Sequence, residues 1–268
     1  MQDCLTALAA QTFSDFEVLV VDNASTDGSA DTLERLYPGV RVHKLNKNYG
    51  FSRAVNKGIR LSECEYVILL NNDTVPFPDY VEQLIRAMDA DQRIFSACAG
   101  AAIYRRAVFE EIGYFDERHF AYLEDIDVGY RALIHGYINR YEPAAKVYHV
   151  GSGTSGSKYN AFKVKLSSRN SVYLNYKNMP IPFLVLNFFP LLVGWLIKMR
   201  FFQGLGFGKE YRDGLKEGFR TARECKKVPF RFSHLWNYIY IEFLLIANTF
   251  IYGVEFLRRR KFRTKTTA

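Results

Sequence analysis

Cysteine is scarce in this sequence: four in 268 residues, Cys4, Cys64, Cys98 and Cys225, with no CxxC pair and no metal-finger spacing. That argues against a disulfide scaffold or a zinc ribbon, and reduced thiols are expected. GxxxxGK[ST] is absent, so a phosphate cannot be held by a P-loop. Internal repeats and low-complexity segments are lacking too. The amino terminus, MQDCLTALAAQTFSDF, carries acids and no basic run, so no secretory signal is expected there. What is abundant is apolar: 49% hydrophobic residues against 24% charged rules out a disordered or collagen-like chain.

The formal net charge of +8 is unevenly spread. Residues 1–197 hold 20 Lys/Arg against 22 Asp/Glu, whereas residues 198–268 hold 16 against 6. A basic carboxyl-terminal part suits an anionic partner, either nucleic acid or a membrane surface.

Up to about residue 150, short apolar runs alternate with amphipathic stretches. FEVLVVD (16–22) and YVILLN (66–71) read as strands covered on both faces, and VRVHKL (40–45) as a shorter one. Helices are expected over SADTLERL, FSRAVNKGIRL (51–61), PDYVEQLIRAMDA (78–90), RRAVFEEIG and EDIDVGYRALIHG, with a strand ending KVYHV. The alternation predicts an α/β chain with a doubly wound, mostly parallel sheet.

From about residue 158 strand signals stop. YNAFKVKLSSRNSVYLNYKN reads as a helix with a basic face. Twenty uncharged residues then separate Lys177 from Lys198, long enough to span a bilayer, although Pro180, Pro182 and Pro190 argue against one straight span. The run at 235–257 has Glu242 in its middle and RRRKFR behind it. A mid-span charge is expensive, so an interfacial or re-entrant helix is as good a reading as a span. The tryptophans, tyrosines and basic flanks favour an anionic membrane surface over nucleic acid, because no groove-reading motif accompanies the charge. A helix pair packed on the first domain is the alternative. Two regions are expected, 1–155 and a helical, basic, membrane-associating 156–268.

In a parallel sheet ligands bind beyond the carboxyl ends of the strands. The first strand ends in Asp22-Asn23 and the second buried one in Asn71-Asn72-Asp73. Turn capping explains either site alone. Asp73 has a further use, since a divalent cation offsets the charge of a diphosphate leaving group and needs only one or two carboxylates. His149, at a strand end before GSGTSG, is a candidate second ligand and would favour Mn²⁺ over Mg²⁺. Glu124, Asp125 and Asp127 open a helix. Asp127 pairs with Arg131 one turn on, while Glu124 and Asp125 form a denser acidic patch than capping requires. A carboxylate there suits a general base.

Together these residues resemble glycosyltransferase family 2 of the GT-A fold, and more narrowly its bacterial rhamnosyltransferase-like branch. The matching strings are QTFSDFEVLVVDNASTDGS, NKNYGFSRAVNKGI, YVILLNNDT, GAAIYRRAVFEEIGYFDERHFAYLEDIDVGYR and YHVGSGT, in the family's order over about residues 5–155. The resemblance implies an inverting, metal-dependent transferase using a nucleotide-diphosphate sugar, dTDP-rhamnose among the donors. It also implies a cell-surface polysaccharide or lipid-linked acceptor and the cytoplasmic face of the membrane. Asp22 with Asn23, Asn48 with Gly50, and Asn72 would contact the donor. Asp73, in a DxD motif whose first position is Asn71, and His149 would hold Mn²⁺ or Mg²⁺. Asp125 would be the base, with Glu124 beside it.

Two departures are expected to matter. The family's first strand precedes the helix matching DCLTALAAQ, where Met1 stands, and without it about 10 Å would separate its neighbours. Only 52 residues run from Asp73 to Asp125, with DQRIFSACAG reading as a junction near Phe95–Ser96. A shortened, non-catalytic, membrane-associated relative acting as a binding protein is the alternative function.

Overall fold

The computed structural model describes residues 1–95, 101–149 and 159–265; side chains are described as far as residue 255. Cys98, the junction after Phe95 and the GSGTSG loop lie outside the described residues. The chain opens with α1 (Gln2–Ala9), β1 (Val18–Asp22), α2 (Ser29–Leu36), β2 (Val40–Lys44) and α3 (Phe51–Leu61). It continues through β3 (Tyr66–Leu70), β4 (Thr74–Pro76), α4 (Tyr80–Asp89), β5 (Ala101–Arg105) and α5 (Arg106–Ile112). Next come α6 (Glu124–Ile134) and β6 (Val147–His149). The remainder is helical: α7 (Ala161–Asn178), α8 (Ile181–Leu186), α9 (Phe188–Gly204), α10 (Gly208–Thr221) and α11 (Leu235–Lys265).

The architecture is α/β, but the sheet is less parallel than the sequence pattern suggests. Among the described residues β1 pairs parallel with β2, whereas β3–β5 and β4–β6 are antiparallel. Two of these strands, β4 and β5, were not legible as strands. At three residues β4 is too short to show alternation, and β5 runs straight into a helix. No ladder joins β1 to β3.

Every residue of β1 and β3 is only half-buried, although both runs read as strands covered on both faces. The covering helices are present: Val67 and Leu69 pack against Ile59, Val108 and Phe109, while Tyr66, Ile68 and Leu70 pack against Tyr80, Leu84 and Met88. Among the described residues neither strand pairs with a second strand. Helix α3 ties the two ladders together, because Gly58 lies against Val21 of β1 while Phe51, Val55 and Ile59 join the β3–β5 core.

Helix α7 is fastened to the first region by a buried polar knot. Lys177 Nζ lies 2.8 Å from both Asp116 Oδ2 and Asp127 Oδ2, and Asn178 donates to Asp127 Oδ1 at 2.8 Å. Arg131 closes the expected one-turn pair with Asp127 at 2.9 Å and donates to the Ile112, Gly113 and Tyr114 carbonyls. Burial alone would raise the Asp127 carboxyl, but Arg131 and Lys177 outweigh it and hold the group far below the usual range. On its other side α7 receives α10 at close range. A Cβ on Gly214 would sit 2.0 Å from Ser168 Oγ and 2.2 Å from the Lys165 carbonyl, and one on Gly218 2.9 Å from the Arg169 carbonyl.

The prolines divide the uncharged stretch as expected. Pro182 falls in the first turn of α8 and Pro190 in the first turn of α9, where a missing N–H costs nothing, and Asn187 marks the break. Asn187 also answers the mid-span charge. Its Nδ2 donates to Glu242 Oε2 at 2.7 Å, and Glu242 is buried at 8% exposure between the helices. Around this contact the apolar side chains face outward: Ile181, Val185, Phe189, Trp236, Phe250 and Tyr252 are all 70% exposed or more. Residues Phe232–Glu255 form one helical stretch long and apolar enough to cross a membrane.

Candidate functional site

Two groups of the expected residues assemble at the carboxyl ends of the strands. The first surrounds the end of β1. Both oxygens of Asp22 accept from the Ser25 amide at 3.3 Å, which bends the chain sharply after the strand. Ala24, inside this turn, has a left-handed φ of 63°. Asn23 reaches to the loop before α3: its Nδ2 donates to Asn48 Oδ1 at 3.0 Å and to the Gly50 carbonyl at 3.1 Å, and its Oδ1 accepts from the Tyr49 amide at 2.9 Å. Asn48 Oδ1 also accepts from the Gly50 amide at 2.9 Å. Asp22, Asn23, Asn48 and Gly50 therefore form one cluster.

Gly50 joins this cluster to the acidic one. Its φ is +84°, and a Cβ there would lie 2.5 Å from Phe120 Cδ2 and 2.7 Å from the Phe120 carbonyl. The same carbonyl accepts from the Ser52 amide at 3.2 Å. Phe120 belongs to the loop that delivers Glu124 and Asp125, the first two residues of α6. Three residues of that loop have left-handed backbones, Phe120, Tyr122 and Leu123. With Ala24 they are the four non-glycine residues of positive φ among the described residues, and all four flank the candidate site. Such strain persists only where surrounding contacts hold it, and it concentrates at functional sites.

The two acids differ in setting. Glu124 is 7% exposed and its Oε2 has no hydrogen-bond partner among the described residues. Burial pushes its carboxyl up to about 7, and the charges of Asp125 and Asp127 add to the rise. Asp125 is half-buried, and its Oδ1 accepts from the Ile126 amide at 2.9 Å.

The second group lies past β3. The turn 71–74 is fixed by Thr74, whose amide and hydroxyl both reach the Asn71 carbonyl, at 3.2 and 2.6 Å. Asp73 is thereby placed opposite β6, whose His149 is the register partner of Thr74. His149 Nε2 lies 3.1 Å from Asp73 Oδ1. Asn72 is exposed in the same turn. One carboxylate oxygen and one imidazole nitrogen, both reachable from solvent, are a donor pair suited to Mn²⁺, and their spacing matches neighbouring ligands of an octahedral shell with bonds of about 2.1 Å. Among the described residues no group of three or more His, Cys, Asp or Glu side chains gathers to form a fuller metal site. Further ligands would have to come from water or from a bound diphosphate.

Comparison with known proteins decides the class. Residues 1–105 match the family model of glycosyl transferase family 2. The chain is a glycosyltransferase. It is 24% identical over 221 aligned positions to the N-acetylglucosaminyl-diphospho-decaprenol L-rhamnosyltransferase of Mycobacterium tuberculosis, covering 57% of this chain and 72% of the relative. The alignment has more positions than 57% of 268 residues can fill, so the relative carries internal segments without a counterpart here. The mannosyltransferase PcManGT of Pyrobaculum calidifontis, solved with GDP-Man and Mn²⁺, superposes with a TM-score of 0.57 at 15% identity over 81% of this chain and 82% of that one. TarS of S. aureus, residues 1–349 with UDP-GlcNAc, does so at 0.51 and 18% identity over 67% and 63%. The glycosyltransferase's α/β fold is accordingly GT-A-like.

Sequence reasoning missed the residues that hold these groups in place. Phe120, Lys177, Arg169 and Asn170 have no spacing that marks them. The one available signal was the unusual run of polar residues, SSRN, in the middle of the α7 helix.

Proposed function

We propose that this glycosyltransferase moves a sugar from a nucleotide-diphosphate donor to a glycan or lipid-linked acceptor in a single inverting displacement, with a divalent cation bound at Asp73 and His149. The observation that carries the reading is the Asp73–His149 pair, 3.1 Å apart on neighbouring strands that nothing but the fold brings together. A cation there would neutralise the departing diphosphate. Asp22, Asn23, Asn48, Gly50 and Asn72 would line the path of the donor. The acceptor hydroxyl attacks the anomeric carbon, the new C–O bond forms as the bond to the diphosphate breaks, and the hydroxyl proton passes to Asp125. Glu124 is buried beside it with its carboxyl pushed up to about 7, so near neutral pH it is about half protonated and places less negative charge next to the base.

The similarity to a decaprenol-linked rhamnosyltransferase makes dTDP-rhamnose the first donor to test. The acceptor side is supported by the outward apolar faces of α8, α9 and α11 and by the surplus of Lys and Arg after residue 198. These features fit attachment to the anionic cytoplasmic face of a cell membrane. The absence of a ladder between β1 and β3 fits a sheet lacking its first strand.

Calorimetry with dTDP-rhamnose, UDP-GlcNAc and GDP-mannose, each with and without Mn²⁺, tests the reading. Donor binding that needs Mn²⁺ and vanishes in Asp73→Ala is the expected result. Binding that survives both chelation and Asp73→Ala would refute the metal assignment. Flotation with phosphatidylglycerol vesicles tests the membrane face: Trp236→Asp with Phe250→Asp should leave the protein at the bottom of the gradient, and unchanged flotation would reject that face.

A further inference from the structure

The loop that delivers Glu124 and Asp125 has an unusual hydrogen-bonding problem. With Phe120, Tyr122 and Leu123 left-handed, the carbonyls of residues 119–122 join neither α6 nor a ladder, and buried carbonyls need donors. The donors come from α7, about fifty residues later. Asn170 is fully buried, and its Nδ2 lies 2.9 Å from the His119 carbonyl and 2.8 Å from those of both Ala121 and Tyr122. Arg169 Nη2 covers the Arg118 and His119 carbonyls at 3.0 and 3.2 Å. The Phe120 carbonyl, which points the other way, is taken by Ser52. Five carbonyl contacts from two adjacent side chains thus hold one strained segment.

The clamp is itself braced. Arg169 Nε donates to Asn170 Oδ1 at 3.1 Å, fixing the amide so that its NH₂ faces the loop. Arg169 Nη1 reaches Glu217 of α10 at 3.2 Å. The close approach at Gly214 and Gly218 brings α10 near enough for that contact. Leu123, the last left-handed residue, accepts from the Asp127 amide at 3.0 Å and so starts α6. The direction in which Glu124 and Asp125 leave the loop is therefore set by the backbone that Asn170 grips.

We infer that Asn170, supported by Arg169, is a positioning residue for the Glu124–Asp125 pair. This deepens the proposed function and rests on it for the role of the pair, but not for the clamp itself. A group that loses its hold on such a loop lets the acids drift by about an ångström, a displacement that costs on the order of 100-fold in rate when it moves a reacting group.

The test compares wild type, Asn170→Ala and the milder Arg169→Lys by hydrogen exchange and by turnover. Exchange is followed for the amides of residues 119–127, with β1 and β2 as internal reference. Turnover is followed as Mn²⁺-dependent release of sugar from the donor that calorimetry identifies, with water as acceptor. For Asn170→Ala the expected result is exchange at least about tenfold faster in residues 119–127 and unchanged in β1–β2, with kcat down roughly 10- to 100-fold at nearly constant donor KM. The Arg169→Lys variant, which keeps the charge but not the fork, should fall between and serves if Asn170→Ala does not fold. Unaltered exchange in residues 119–127 in both variants would overturn the clamp. Faster exchange with undiminished turnover would overturn the positioning role. A wild type inactive on every donor while exchange responds as expected would instead count against the proposed function, leaving the clamp in place.

Discussion

Adding one methyl group at Gly50 should separate the two halves of the candidate site. In Gly50→Ala the new Cβ falls 2.5 and 2.6 Å from Phe120 Cδ2 and Cγ and 2.7 Å from the Phe120 carbonyl oxygen. The backbone adds a second penalty, because φ is +84° and ψ 171°, a region that L side chains rarely enter. Strain of that kind costs about 1–3 kcal/mol, and overpacking a filled position costs about as much again. Phe120 cannot simply retreat. Its own φ is +62° and its carbonyl is committed to Ser52. A total near 4 kcal/mol corresponds to a loss of roughly 10 °C in melting temperature for a chain of this size. The control is Gly39→Ala, where a Cβ meets nothing within 4 Å. Melting followed by circular dichroism, together with calorimetric titration of the nucleotide sugar, reads both consequences. If Gly50→Ala melts within about 2 °C of Gly39→Ala and binds donor like wild type, the contact with Phe120 does not join the loops, and the reasoning fails.

The pH dependence of stability should carry the signature of Glu124. Its folded carboxyl titrates at about 7 against 4.5 in a free chain, so the folded state holds the proton more tightly and stability falls as pH rises between those values, by about 3 kcal/mol. Glu124→Gln should remove that slope, so the melting difference between variant and wild type should grow in the variant's favour from pH 5 to pH 8. In Asp127→Asn the buried Lys177 and Arg131 lose their shared counter-charge, which should cost about 3–5 kcal/mol in denaturant unfolding. Gly214→Ala forces a methyl against the backbone of α7 and should destabilise by about 1–3 kcal/mol, measurable by chemical denaturation.

Much of this was legible from local pattern. FSRAVNKGIRL (51–61) is the helix its period suggested, and the β-branched runs ending at Asp22 and Leu70 are strands. Asp73 and His149 were picked out as strand-end residues and do meet. The pairing of strands was not legible, because the same apolar run serves a parallel or an antiparallel partner; β3 found β5 on the antiparallel side. Nor did Glu242 announce its partner. A carboxylate in an apolar run looks the same whether it faces lipid or an asparagine 55 positions earlier. Asn170 was invisible for a related reason: its value lies in three carbonyls whose need arises only from the backbone handedness of a distant loop.

The inward bond between Asn187 and Glu242 binds the fate of one apolar helix to that of the other. Drawing either away alone would leave a carboxylate or an amide unpaired among apolar side chains, so the two helices should move as a single wedge. Near its start α11 donates from Asn237 to the Ile134 carbonyl at the far end of α6. Tilting the wedge would therefore turn the lever whose opposite tip bears Glu124 and Asp125.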